Sequence, residues 1–197
     1  VSPRLPDPAQ PVRVLHGIML LARGRAAGLA AFGDTRQAFL SSLAPLLAFP
    51  LVASLLMLLR GSGAVALTDL LATLAVLLAP AVVSFELARL WRRESDWLRF
   101  ATAFNWCQWA LPIVAALLML VLATSILLGM PSEAAAALVV TALVGYGLWL
   151  HWFLVRHGLR VSRLRAVLIV LAMNAATSIV VLVLPHLALI LSGGGAE

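Results

Sequence analysis

Four polar side chains sit deep within long apolar runs of this chain: Asn105, Gln108, His151 and Asn174. Glu86 stands near the end of another run. Amides donate and accept hydrogen bonds, an imidazole does either, and a carboxylate accepts or carries a proton. Helical spacing puts Asn105 on one face with Thr102, Pro112, Ala116 and Ala123, and Gln108 beside that face. His151 shares a face with Gly147, Val144 and Ala137, and Asn174 with Thr177, Ser178, Val181 and Pro185. Amides turned to lipid would go unsatisfied, so these faces are expected to point inward. Two readings follow: hydrogen-bonded glue between helices, or the lining of a polar pocket. Glu86 lies on a small-residue face with Ala72, Ala75, Ala79 and Val82, and Arg89 and Arg93 follow it by three and seven residues. An ion pair at headgroup level is one reading of it, and a proton or cation site is the other.

No catalytic signature accompanies these residues. The chain has no Gly-x-Ser-x-Gly, no His-Glu-x-x-His and no phosphate loop,. His151 and His157 are six apart and share no helical face, which makes a poor metal pair. Cys107 is the single cysteine, which excludes an internal disulfide and any multi-cysteine metal site, and its place in an apolar run suggests an inert thiol,. The expectation is therefore no catalytic residues, no metal, no cofactor and no enzymatic activity.

The elements that must position the polar residues are set by composition. Of 197 residues, 63% are hydrophobic and 11% charged, with a mean hydropathy of +1.05. Soluble domains carry about 25% charged residues, so this chain cannot cover a water-facing surface. The fold class expected is all-α, a polytopic bundle of five transmembrane helices with an N-terminal amphipathic interfacial helix. The spans fall near 39–59, 64–87, 100–128, 134–155 and 167–191. The third would be about 43 Å long as one straight helix, against a hydrocarbon core of about 30 Å, so it must tilt or bend near Pro112. The organisation expected is an arm over 1–38, a membrane domain over 39–191 and a tail over 192–197. The Pro-rich start, Val1 to Pro11, is not followed by a signal-peptide core and cleavage site, so none is expected.

All fourteen basic residues are Arg, and their placement predicts orientation. The N-terminal segment, the loop after span two and the loop after span four hold thirteen of them, and the opposite side holds only Arg60. This alternation predicts a cytoplasmic N-terminus, an outer C-terminus and five spans. The excess of positive charge is thus a membrane signal, and no nucleic-acid partner is expected. An Arg-only, Leu/Ala/Val-rich composition suggests GC-rich, bacterial coding and hence a bacterial inner membrane. The six tryptophans, Trp91, Trp97, Trp106, Trp109, Trp149 and Trp152, all fall on the Arg-rich side, where they are expected to anchor the interface,. Residues 12–32 read as a helix with Val14, Leu15, Ile18, Leu21, Ala22 and Leu29 on one side and Arg13, His16 and Arg23 on the other. It would lie on anionic inner-leaflet lipid. Gly33-Asp34-Thr35 then breaks it, with Asp34 or Thr35 capping the first span.

The Gly-Asp-Thr lead, the Asn105-Trp106 pair, Tyr146-x-x-Trp149-x-x-Phe153-x-x-Arg156 and Asn174 carry a resemblance. Over its whole length the chain resembles a group of small five-span bacterial inner-membrane proteins, loosely Yip1-like. The resemblance implies a cytoplasmic N-terminus. The group has no assigned activity, so it lends the chain none.

Depth gives the sharpest expectation. At about 1.5 Å per residue, Asn105 lies about 9 Å inward from Arg99, His151 about 8 Å from Arg156, and Asn174 about 14 Å from Arg165. Gln108 is similarly deep, and Glu86 is about 5 Å from Arg89. Four helices thus set polar groups in the cytoplasmic half, where they are expected either to lock the bundle or to line a pocket with Glu86 at its rim. The function expected first is a non-enzymatic accessory subunit that contacts other membrane subunits or its own copies. The alternative is a small-molecule or lipid transporter, to which Pro45, Pro50, Pro80, Pro112 and Pro185 lend weak support.

Overall fold

A backbone inside lipid must satisfy its own hydrogen bonds, so long apolar runs become helices. The computed structural model describes residues 10–61 and 63–193. It is all helical, 87% helix, with no strand among the described residues. Five segments are long and apolar enough to cross a membrane, and a short helix precedes them. In chain order the elements are α1 (Gln10–Ala22), a 3-10 helix (Ala26–Ala31), α2 (Arg36–Leu59), α3 (Gly63–Leu90), α4 (Glu94–Cys107), α5 (Ala110–Leu127), α6 (Ser132–Gly158) and α7 (Arg163–Gly193). Of the expected tail, residues 192–193 still belong to α7, and 194–197 lie outside the described residues.

The third span is divided. Pro112 has no N–H, and its ring crowds the carbonyl four residues back, that of Gln108. The chain answers with one tight turn. The Trp109 N–H goes to the Trp106 carbonyl and the Leu111 N–H to the Gln108 carbonyl, each 3.2 Å. α4 and α5 therefore diverge at residues 108–109, one turn before the proline. They also meet different environments: most of α4 from Phe100 to Cys107 is buried, whereas in α5 only Ala110 is. α4 is walled by α2, α3, α6 and the N-terminal arm, while α5 packs mainly on α6, and α7 lies against α3 and α6.

The arm differs from the expected helix over 12–32. α1 stops at Ala22 because Gly24 takes a left-handed φ of 73°, with Gly24 N–H bonded to the Leu21 carbonyl and Arg25 N–H to the Leu20 carbonyl (both 2.9 Å). Those two bonds close a Schellman turn, which uses glycine for its conformational freedom. The chain then doubles back as the 3-10 helix, and Ile18, Leu21 and Phe32 join the buried core. Tyr146 Oη donates to the Ala22 carbonyl (3.1 Å), tying the end of α1 to α6. Thr35 caps α2, accepting from the Ala38 N–H (3.1 Å). Asp34 instead reaches Arg99 at 2.6 Å.

Candidate functional site

Asn105, Gln108, His151 and Asn174 border one cavity of about 280 Å3. Leu46 of α2, Val76, Leu77 and Pro80 of α3, Phe104 of α4, and Met173 and Thr177 of α7 complete its wall. Five helices therefore contribute. The cavity lies between α4 and α7, whose backbones do not approach closely; α3 and α6 each pack on both.

The polar groups are only partly occupied. Asn105, itself buried, donates through Nδ2 to Ser42 Oγ on α2 (3.0 Å). Ser42 in turn donates its single proton to the Phe39 carbonyl (2.6 Å), so toward Asn105 it can only accept,. That fixes which end of the Asn105 amide faces Ser42 and leaves Oδ1 as its other end. Asn174 donates through Nδ2 to the Val170 carbonyl of its own helix (2.8 Å), which fixes its amide in the same sense. Thr177 likewise donates to the Met173 carbonyl (3.0 Å). The His151 ring packs on Phe104 with centroids 4.8 Å apart, and its Nε2 is buried with no hydrogen-bond partner. A buried polar atom in that state costs about 1–3 kcal/mol. Gln108 and His151 are half-buried, and Asn174 is exposed, so it marks the open edge of the cavity.

Three prolines add to this wall. Pro50, Pro80 and Pro112 have no N–H for the carbonyls four residues earlier. Those carbonyls belong to Leu46, Val76 and Gln108, and all three residues border the cavity. The Gln108 carbonyl is taken by Leu111, while those of Leu46 and Val76 lose their ordinary helical donor.

Glu86 does not join the site. It is paired with Arg89 at 2.9 Å, with both side chains more than half exposed, and it borders no part of the cavity. Of its two expected readings the ion pair holds and the pocket rim does not: Glu86 lies six residues beyond Pro80, at the Arg-rich end of α3. Cys107 is buried and away from the cavity. Among the described residues no group of His, Cys, Asp and Glu could hold a metal ion.

The expected interface anchors divide in two. Trp91 lies under the Arg165 guanidinium (5.4 Å), and Trp152 meets that of Arg156 (5.3 Å). Trp149 is 38% exposed and closes over Gly24. Arg13 is exposed on α1 and Arg23 in the turn that follows. Trp97, by contrast, is a packing residue: its Nε1 donates to Ser84 Oγ (3.1 Å) between the rings of Phe39 and Phe85. A hydroxyl on α3 replaces the headgroup partner expected for it. Trp106 packs against the core, and Trp109 packs against Phe49 with its Nε1 buried and without a hydrogen-bond partner.

Ser42, Ser84 and Tyr146 tie the helices together; the sequence singles out neither serine, and Tyr146 only within the pattern that carries the resemblance. Lone hydroxyls on apolar helices carry little signal, because each can bond its own backbone. A second cavity of about 280 Å3, between the 3-10 helix, the start of α4 and the end of α6, is bordered by Asp96, Arg99, His157 and Arg160. Its charges are already matched, Asp96 with Arg160 (3.7 Å) and with Arg93 (3.9 Å), and Arg99 with Asp34. No family model, curated protein or solved structure matches the chain.

Proposed function

We propose that this is a non-enzymatic, ligand-binding integral membrane protein that holds a small amphiphile in the cavity between α4 and α7 and passes it across or along the membrane. The observation that carries this reading is His151 Nε2, a buried polar atom without a partner on a ring that borders a cavity also lined by three amides. Trp109 Nε1 is orphaned in the same way but does not border the cavity, so it is the place of the His151 atom on a cavity wall, and not its burial alone, that supports a ligand,. Apolar walls with a few convergent polar groups are what small-ligand sites require.

The membrane we infer is a bacterial inner membrane, with the Arg-rich end of the bundle cytoplasmic. The thirteen-to-one distribution of Arg supports that orientation,. The same charges favour anionic lipid beside the arm.

The accessory-subunit reading is favoured by one different observation. From Leu51 to Leu59, α2 exposes Leu51, Val52, Leu55, Leu56, Met57, Leu58 and Leu59, on every face of the helix. Such a stretch gains packing from a partner helix. Extraction of the full chain in native lipid discs separates the two. A stoichiometric amphiphile retained by the wild type and lost from Asn174→Leu supports the ligand site. A stoichiometric membrane-protein partner, with the same small molecules in both forms, supports the subunit.

A further inference from the structure

The cavity's hydrogen-bonding sense narrows its ligand. This inference rests on the ligand-site reading above and specifies the chemistry of that site. Asn105 and Asn174 each turn Nδ2 to an acceptor in the protein, Ser42 Oγ and the Val170 carbonyl. Each therefore keeps Oδ1 as an unengaged acceptor. The Thr177 hydroxyl proton is spent on the Met173 carbonyl, so its oxygen too remains an acceptor. The carbonyls of Leu46 and Val76 lose their helical donors to Pro50 and Pro80,. Each Nδ2 keeps a second N–H, so the balance is a surplus of acceptors: the three side-chain oxygens, with the Leu46 and Val76 carbonyls, outnumber those two N–H groups, while Gln108 and His151 can present either sense,.

Charge narrows it further. Among the described residues no carboxylate and no Arg borders the cavity. A full cation would give up its hydration with no countercharge, and an anion would meet carbonyl oxygens. Leu46, Leu77, Phe104 and Met173 supply an apolar wall, and the open edge at exposed Asn174 lies on the outer face of α7 within a candidate span. We infer that the cavity binds an uncharged amphiphile whose headgroup donates a hydrogen bond, from a hydroxyl or an amide N–H, to Oδ1 of Asn105 or of Asn174. The donor chemistry is shared by a long-chain alcohol from the lipid and a short alcohol from water. A built-in preference for donors distinguishes such a site from a hydrophobic groove, because an ether of the same shape leaves the carbonyls unmatched.

The test uses the full chain in phosphatidylcholine discs and measures saturable binding of defined probes. These are dodecan-1-ol, its methyl ether, dodecanoate, dodecylammonium, butan-1-ol and methyl propyl ether. Dodecan-1-ol is expected to bind about tenfold more tightly than its ether, which corresponds to about 1.4 kcal/mol. Asn174→Leu, which alters an exposed residue and spares the fold, is expected to cut that preference to less than about threefold. Equal binding of alcohol and ether overturns the donor rule and leaves a pocket of another specificity. Tightest binding of dodecanoate or dodecylammonium overturns neutrality. A preference confined to butan-1-ol over its ether supports the donor rule and assigns the ligand to the aqueous side. No saturable binding of any probe overturns the inference, and retention of another molecule in native discs then shows whether the ligand-site reading survives it.

Discussion

Gly17 and Gly28 cross with no room for a side chain on either. A Cβ on Gly28 would lie 2.6 Å from the Gly17 carbonyl oxygen, and one on Gly17 would lie 2.6 Å from Ala31 Cβ. α1 and the 3-10 helix are thereby pressed into one hairpin, and Tyr146 and Trp149 hold that hairpin to α6. The arm is part of the bundle's packing at its Arg-rich end, not a helix lying apart from it.

Gly28→Val is therefore expected to pry the hairpin open. The turn between its halves carries Arg23 and Arg25, so limited trypsin digestion reads the opening directly. Cleavage there should quicken at least several-fold. Gly145→Ala, where an added Cβ meets nothing within 4 Å, should leave the rate unchanged. Equal rates in the two variants would count against a hairpin closed at Gly17 and Gly28.

Much of the architecture is legible in the residues themselves. Each span follows from an apolar run with Arg at its inner end, and the bend of the third follows from Pro112, although the turn falls at residues 108–109 because the proline acts on a carbonyl four residues back,. Asn105, Gln108, His151 and Asn174 come to one cavity because an amide or imidazole at that depth has nowhere else to turn,. Glu86 takes the first of its two readings, the ion pair: a carboxylate near a helix end can pair with Arg89 and face outward, so depth alone does not oblige it to face inward. The arm is divided for a related reason. Its apolar stripe reads the same against lipid or against protein, and the structure buries Ile18 and Leu21 while Val12, Leu15 and Met19 of the same helix stay exposed. The proline signal lay in plain sight, since Pro50, Pro80 and Pro112 each follow a cavity residue by four.

Trp97 is expected to behave as core. Trp97→Phe removes the bond to Ser84 while keeping an aromatic ring between Phe39 and Phe85, at a cost of about 1 kcal/mol,. Trp97→Ala removes the ring as well and should cost about 3–5 kcal/mol. Unfolding of the purified chain in a fixed detergent measures both. A cost below about 0.5 kcal/mol for Trp97→Ala would return this residue to the interface.

Orientation is tested by reporters. A fusion after Glu197 should read as periplasmic, and one within residues 89–99 as cytoplasmic. The opposite result at either site contradicts the five-span, N-terminus-inside topology.

The ligand site itself is tested most directly by the stability of His151→Phe. Phenylalanine keeps the ring packed on Phe104 and removes the buried, unpartnered Nε2. A side chain retained for binding and not for folding is one whose loss leaves the empty protein stronger. Thermal unfolding of the full chain in ligand-free discs should show His151→Phe more stable than the wild type by about 1 kcal/mol, and the variant should no longer retain the amphiphile held by the wild type. A variant destabilised by about 2 kcal/mol or more, or one that keeps the ligand unchanged, would make His151 a part of the bundle's own lock and contradict the account.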